Sequence, residues 1–228
     1  MSVLLALLAV AATGGIALWT YQQDQKRRAA LAQFALAKAW TFEPDDRRGL
    51  VDRWSEPPFG IGHSRRASNV MSGVVSGRPM LAFDYRYKVT TSTGKSRSTR
   101  TYKYGVCVLG LPTYLPPLEV GPENLLTRFG SALGIDDIEL ESEDFNRAFR
   151  VRGAPRFAHD VLTPRTMETL LRSECRSWRI AGSDILAWDD GLQGPVEILS
   201  RLATLDGVVT AIPDFVWKDH GVEPPAGK

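Results

Sequence analysis

Residues 80–109, MLAFDYRYKVTTSTGKSRSTRTYKYGVCVL, decide the fold. The first part alternates: Phe83, Tyr85, Tyr87 and Val89 point one way, and Asp84, Arg86 and Lys88 the other. A polar turn over 91–98 sends the chain back through 101–109. There Tyr102, Tyr104, Val106 and Val108 share a face and Cys107 lies opposite. Period-two alternation bounded by turn residues is the pattern of half-buried antiparallel strands. Upstream, residues 67–75 end at Ser76-Gly77-Arg78-Pro79, which reads as a turn between strands. Downstream, Pro112, Pro116 and Pro117 read as interruptions before residues 118–120.

Outward from the sheet, residues 123–132 read as a helix led by Pro122 and stopped at Gly134. The best-patterned stretch is 144–172, DFNRAFRVRGAPRFAHDVLTPRTMETLLR. It predicts a strand over 149–152, a turn at Gly153-Ala154-Pro155, and two helices divided at Thr163-Pro164. Phe157, Ala158, Val161 and Leu162 form one apolar face, continued by Met167, Leu170 and Leu171. Thr163 is placed to cap the second helix, with Pro164 at its first position. Beyond it, 176–181 and 184–188 flank Gly182-Ser183 as a hairpin. A last helix starts at Pro195, buries Ile198, Leu199, Leu202 and Leu205, and stops at Gly207. Phe215 and Trp217 pack back before a flexible tail. The expected fold class is α+β, one globular domain of antiparallel strands with packed helices behind an N-terminal transmembrane helix.

That helix is expected because residues 2–23 carry no charge and 3–19 are nearly all apolar. Val3, Leu4, Leu5, Leu7, Leu8, Val10, Ile16 and Leu18 favour insertion by roughly 2–5 kcal/mol, and the run is just long enough to span. Trp19 and Tyr21 stand where an interfacial belt is expected, before Lys26-Arg27-Arg28. A cleaved signal peptide fits less well, with no Lys or Arg before a short apolar region. The positive-inside rule places Met1 outside and the domain in the cytoplasm. The expected layout is a basic-flanked anchor over 1–28, a helical linker region over 29–64, the domain over 65–218 and a flexible tail over 219–228.

The net charge of +2 hides an asymmetry. Residues 1–110 hold 16 Lys and Arg against 7 Asp and Glu, whereas residues 111–228 hold 12 against 19. A basic half next to an anchor suits an anionic leaflet, at about 1 kcal/mol per basic residue held near the surface. Two cysteines, Cys107 and Cys175, make neither a disulfide framework nor a zinc set.

RRASNV (65–70), ENLLTR (123–128), ESEDFNRAFRV (141–151) and AHDVLTPRTMETLL (158–171) resemble a family of uncharacterised bacterial membrane-anchored proteins, a domain of unknown function. The resemblance spans residues 65–217. It implies one or two N-terminal spans before a single domain, and no activity, ligand or catalytic residue.

Candidate chemistry is sparse. Gly60-Ile61-Gly62 starts like a dinucleotide loop, but position 65 is Arg where a third glycine is needed. No Walker lysine pattern, HExxH or CxxC occurs. His159-Asp160 has no second histidine cluster, since His63 and His220 stand alone. The run Asp136, Asp137, Glu139, Glu141, Glu143 and Asp144 offers oxygens to a hard cation but lacks EF-hand spacing, and its alternation suggests a solvated strand face. Arg147, Arg150, Arg152 and Arg156 are placed to pair with Glu141, Glu143 and Asp144. Arg65-Arg66-Ala67-Ser68 reads either as a basophilic kinase site or as a basic approach to a strand. Both cysteines read as buried or incidental thiols.

No residue is therefore assigned a catalytic, cofactor-binding or metal role, and no cofactor is expected. The favoured reading is a membrane-tethered, cytoplasm-facing, non-enzymatic interaction domain. Its expected partners are a bilayer through residues 2–23 and an anionic lipid surface or a protein, with no nucleic acid. An enzyme with a dispersed site is the alternative.

Overall fold

The computed structural model describes the backbone of residues 2–94, 96–122 and 137–225, with side chains described throughout these except at 2–14, 16 and 17. A long helix α1 (Ser2–Ala37) leads into β1 (Thr41–Asp45) and a 3-10 turn (Leu50–Asp52). Three long strands follow: β2 (His63–Val75), β3 (Arg78–Thr93) and β4 (Ser96–Gly121). Next come α2 (Glu143–Ala148), β5 (Arg150–Gly153), α3 (Pro155–Val161), α4 (Pro164–Arg172), β6 (Trp178–Asp190), α5 (Pro195–Ala211) and α6 (Asp214–Asp219).

The six strands form one antiparallel sheet in the order β1-β2-β3-β4-β5, with β6 also paired to β4. The alternation read at 83–89 is the observed one, but its consequence differs. The expected half-buried sheet is covered on both faces at its centre. On one face Phe83, Tyr85, Tyr87, Tyr104, Val106, Val108, Leu186 and Trp188 are covered by Leu50, Trp54 and Phe59. Trp54 lies parallel to Phe83 with ring centroids 6.1 Å apart, and Phe59 packs on Tyr85 at 4.9 Å. On the other face Met80, Ala82, Cys107 and Leu109 share a core with Leu31 and Ala35 of α1 and with Ile198, Leu202 and Leu205 of α5. Asp84 sits among these, 6% exposed, because a partner from α1 reaches it.

Several local expectations are corrected by pairing that no local signal announces. The polar turn over 91–98 is narrower: β3 and β4 stay paired out to Thr93 and Ser96. The prolines do not end β4. They fall at 112, 116 and 117, beyond the last β3 pair at Leu109 and within the stretch where the β6 register shifts. A missing N–H costs least at such irregularities. Gly182 (φ +66°) bends β6 without reversing it, so the expected hairpin over 176–188 is a single strand whose two halves both pair with β4. Helix α5 runs through Gly207 to Ala211, since Val208 and Val209 continue its buried face. Glu143 and Asp144 open α2 behind the Ser142 cap, so the expected strand face over the acidic run is in part the first turn of a helix. The two helices divided at Thr163-Pro164 are present, and the Thr163 hydroxyl accepts from the Thr166 N–H. The helix read over 123–132 lies outside the described residues.

The N-terminal expectation is also corrected. The apolar run begins a helix that continues unbroken to Ala37, is charged from Asp24 to Arg28, and packs its last turns on the sheet through Leu31 and Ala35. Among the described residues no helix is long and apolar enough to cross a membrane. The transmembrane helix over 1–28 and the single-pass placement, with Met1 outside and the domain cytoplasmic, are withdrawn on that finding.

Candidate functional site

A groove of about 850 Å³ opens at one end of the sheet. Its floor is β4 around Leu115, Pro116, Pro117 and Leu118, beside Ile180, Ala181 and Gly182 of β6. Trp54 and its neighbours form one wall, and Gly153 and His220 close the far side. The prolines that read as interruptions supply apolar surface free of N–H donors. Gly182 is required here twice over: its φ is +66°, and a Cβ on it would lie 2.7 Å from the Tyr114 ring. Tyr114 lies across Gly182 at the lip, 76% exposed.

Four of the charged groups lining the groove, Arg53, Glu119, Arg152 and Arg179, are in ion pairs that tie its walls together. Arg53 donates two hydrogen bonds to Asp184 (2.7 and 3.0 Å), and the Trp54 indole N–H donates to the same carboxylate at 3.2 Å. Arg152, Glu119 and Arg179 stand directly opposite one another on β5, β4 and β6. Arg179 Nη2 donates to Glu119 at 2.7 Å and to the Pro57 carbonyl at 2.8 Å. Its guanidinium also lies 5.1 Å from the centre of the Trp188 ring. Asp137 stands 3.5 Å from Arg152 and from Arg150. The arrangement is a largely apolar trough in which Arg53, Glu119, Arg152 and Arg179 are held in ion pairs and Glu56 stands exposed at the rim.

Of the described residues weighed from the sequence for chemistry, only Arg152 and His220 line the groove. Gly60 and Gly62 both have positive φ, and a Cβ would strike Ser55 O at 2.2 Å or Lys88 O at 2.5 Å. They let a tight loop seat Phe59 in the core. His159 is exposed on α3; His63 bonds Ser64 and Thr90; His220 bonds the Val216 carbonyl at 2.8 Å. Of the acidic run, Asp136 lies outside the described residues, Asp137 serves Arg150 and Arg152, and Asp144 pairs with Arg147. Among the described residues no group of His, Cys, Asp and Glu could hold a metal ion. Ser68 is inside the sheet, opposite both Asp45 and Asp84, so a kinase cannot take residues 65–68 as an extended peptide without unpairing β2. Cys107 and Cys175 are buried, and burial pushes each thiol up to about 12.

Sequence reasoning missed a second polar assembly that fixes α1. Arg27 grips Asp84 with both terminal nitrogens (2.7 and 2.8 Å) and the Gln193 carbonyl at 2.7 Å, while Asn69 donates to Asp84 at 2.8 Å. The buried Gln193 amide donates to the Phe83 and Val106 carbonyls, and its oxygen accepts from Arg201 at 2.7 Å. Arg201 in turn holds Asp189, whose carboxyl is raised above the usual range by burial, against the pull of Arg201. Gly105 makes room, since a Cβ there would lie 2.7 Å from Gln193 Cβ.

The fold is similar to that in the crystal structure of the mycobacterial trehalose monomycolate transport factor A, TtfA. The TM-score is 0.62 at 11% identity, over 82% of this chain and 96% of that one. No family model and no curated protein matches the chain.

Proposed function

We propose that this protein is a non-enzymatic accessory factor in lipid transport, and that its groove receives the apolar part of an amphiphile. The observation that carries this reading is the groove: about 850 Å³, floored by Leu115, Pro116, Pro117, Leu118, Ile180 and Ala181, with Arg53, Glu119, Arg152 and Arg179 of its lining held in ion pairs. Ligand sites of this kind are concave, mostly apolar and on the order of 300–1,000 Å³. The fold shared with a trehalose monomycolate transport factor supports lipid over other apolar ligands.

The test uses a dansyl-labelled long-chain fatty acid, with Trp54 in the groove wall as energy-transfer donor. Saturable transfer is expected. Ala181→Trp, which fills the trough from a partly exposed strand position, should weaken the probe by at least about tenfold, a loss of ~1.4 kcal/mol. Absence of saturable transfer, or equal affinity in a folded Ala181→Trp variant, sinks the reading.

A further inference from the structure

At the opposite end of the sheet a second charged row crosses three strands. Arg66, Arg86 and Lys103 stand directly opposite one another on β2, β3 and β4, so their side chains leave the same face. All three are exposed, and Lys88, two residues further along β3, adds a fourth charge to that face. Arg66 has Asp45 for a partner. Among the described residues no ion pair involves Arg86, Lys88 or Lys103. Like charges placed directly opposite each other destabilise a sheet. Nothing in the packing of these strands calls for such a row.

Helix α1 leads to the same place. Past its C-terminal end, the Trp40 ring covers Gly73, which is opposite Met80 on β3. Arg27 reaches Asp84, two strand pairs further along. Each helical turn advances ~5.4 Å and each pair of strand residues ~6.8 Å, so the two turns before Arg27 carry α1 beyond the level of Arg86 and toward that of Lys88. On those turns Trp19 and Tyr21 are each 62% exposed and Leu18 is 65% exposed, followed by exposed Asp24 and Lys26.

We infer that this end of the molecule docks on an anionic phospholipid surface. The Arg66–Arg86–Lys103 row and Lys88 meet headgroup phosphates, while Trp19 and Tyr21 lie at the level of the headgroups. Basic side chains are drawn to anionic leaflets, and Trp and Tyr prefer the interface because each has an apolar body and a polar tip. An acidic protein would satisfy the basic row but leave the exposed aromatic turns of α1 without a role. The docking face is separate from the groove and does not depend on what the groove holds.

The experiment is flotation of the full chain with phosphatidylcholine vesicles, with and without phosphatidylglycerol. Affinity should be at least about tenfold higher for the anionic vesicles and should fall with salt. Arg86→Gln with Lys103→Gln should weaken it about 30-fold, with an unchanged circular dichroism spectrum. Trp19→Ser should weaken vesicle binding while leaving any retention on soluble polyglutamate unchanged. Ala181→Trp should leave flotation as in the parent, so failure of the groove and failure of this face are read separately. Equal flotation with both vesicles, or indifference to the double substitution, overturns the inference. So does binding to polyglutamate as tight as to anionic vesicles, which assigns the face to an acidic protein.

Discussion

Two rows of three charged residues cross the same sheet, and they are built on opposite rules. Arg152, Glu119 and Arg179 alternate in sign where the strands are buried, and the central carboxylate is 2.7 Å from a guanidinium whose side chain is 6% exposed. Arg66, Arg86 and Lys103 share one sign where the strands face water. Desolvation explains the first pattern, since a charge out of water must be neutralised on site. Water explains only why the second is tolerated. The buried row is needed by the fold, whereas no packing requirement accounts for the exposed one.

The largest effect expected on this contrast comes from Glu119→Gln, which strands Arg179 without a counter-charge. Breaking a buried pair from one side costs about 3–5 kcal/mol. Urea unfolding should report a loss in that range, and replacing both Glu119 and Arg179 by Met should recover most of it. A loss below about 1 kcal/mol from the single change would show that Arg179 draws its stability from the Trp188 ring and the Pro57 carbonyl alone.

Asp84 lies between the two regimes, two residues before exposed Arg86 on the same strand face yet buried. Asp84→Asn removes the charge from the Arg27 pair and should cost about 2 kcal/mol, in the range of hydrogen bonds to charged groups. Hydrogen exchange should locate that loss in α1 around residues 27–35, ahead of the β3–β4 ladder. Uniform loss across the sheet would mean that Arg27 does not pin the helix.

How much of this was legible in the sequence depended on how far apart the deciding residues stand. Alternation over 83–89 is a local signal, and both faces of β3 follow it. Thr163 caps α4 from three residues away, so it too was readable. Asp84 read as a solvated residue because its partner Arg27 is 57 positions distant. Gly182-Ser183 read as a hairpin because a positive-φ glycine bends a strand as readily as it reverses one. Only the pairing of both halves of β6 to β4 tells the two apart. The groove draws on residues near 54, 116, 152, 181 and 220, which read locally as linker, interruption, strand end, strand end and tail, with nothing to bring them together. The apolar N-terminal run suggested a span, and nothing in it announced that the same helix ends as a packed element of the domain.

The smallest effect is the most discriminating. Arg86 faces Arg66 on one side and Lys103 on the other, so Arg86→Gln removes two like-charge contacts at once. If the row exists only because water tolerates it, the substitution should be neutral. If the row is held against the fold's own preference, stability should rise, by about 0.5 kcal/mol given the ~0.2–1 kcal/mol scale of cross-strand pairs. The gain should shrink as salt screens the repulsion, since the Debye length falls from ~10 Å at 0.1 M to ~3 Å at 1 M. Melting curves of parent and variant at low and high salt measure this directly. A stabilised variant whose flotation with anionic vesicles has weakened would show one side chain trading stability for contact. A destabilised variant would make the row a structural feature after all, and the contrast with the Arg152–Glu119–Arg179 row would collapse.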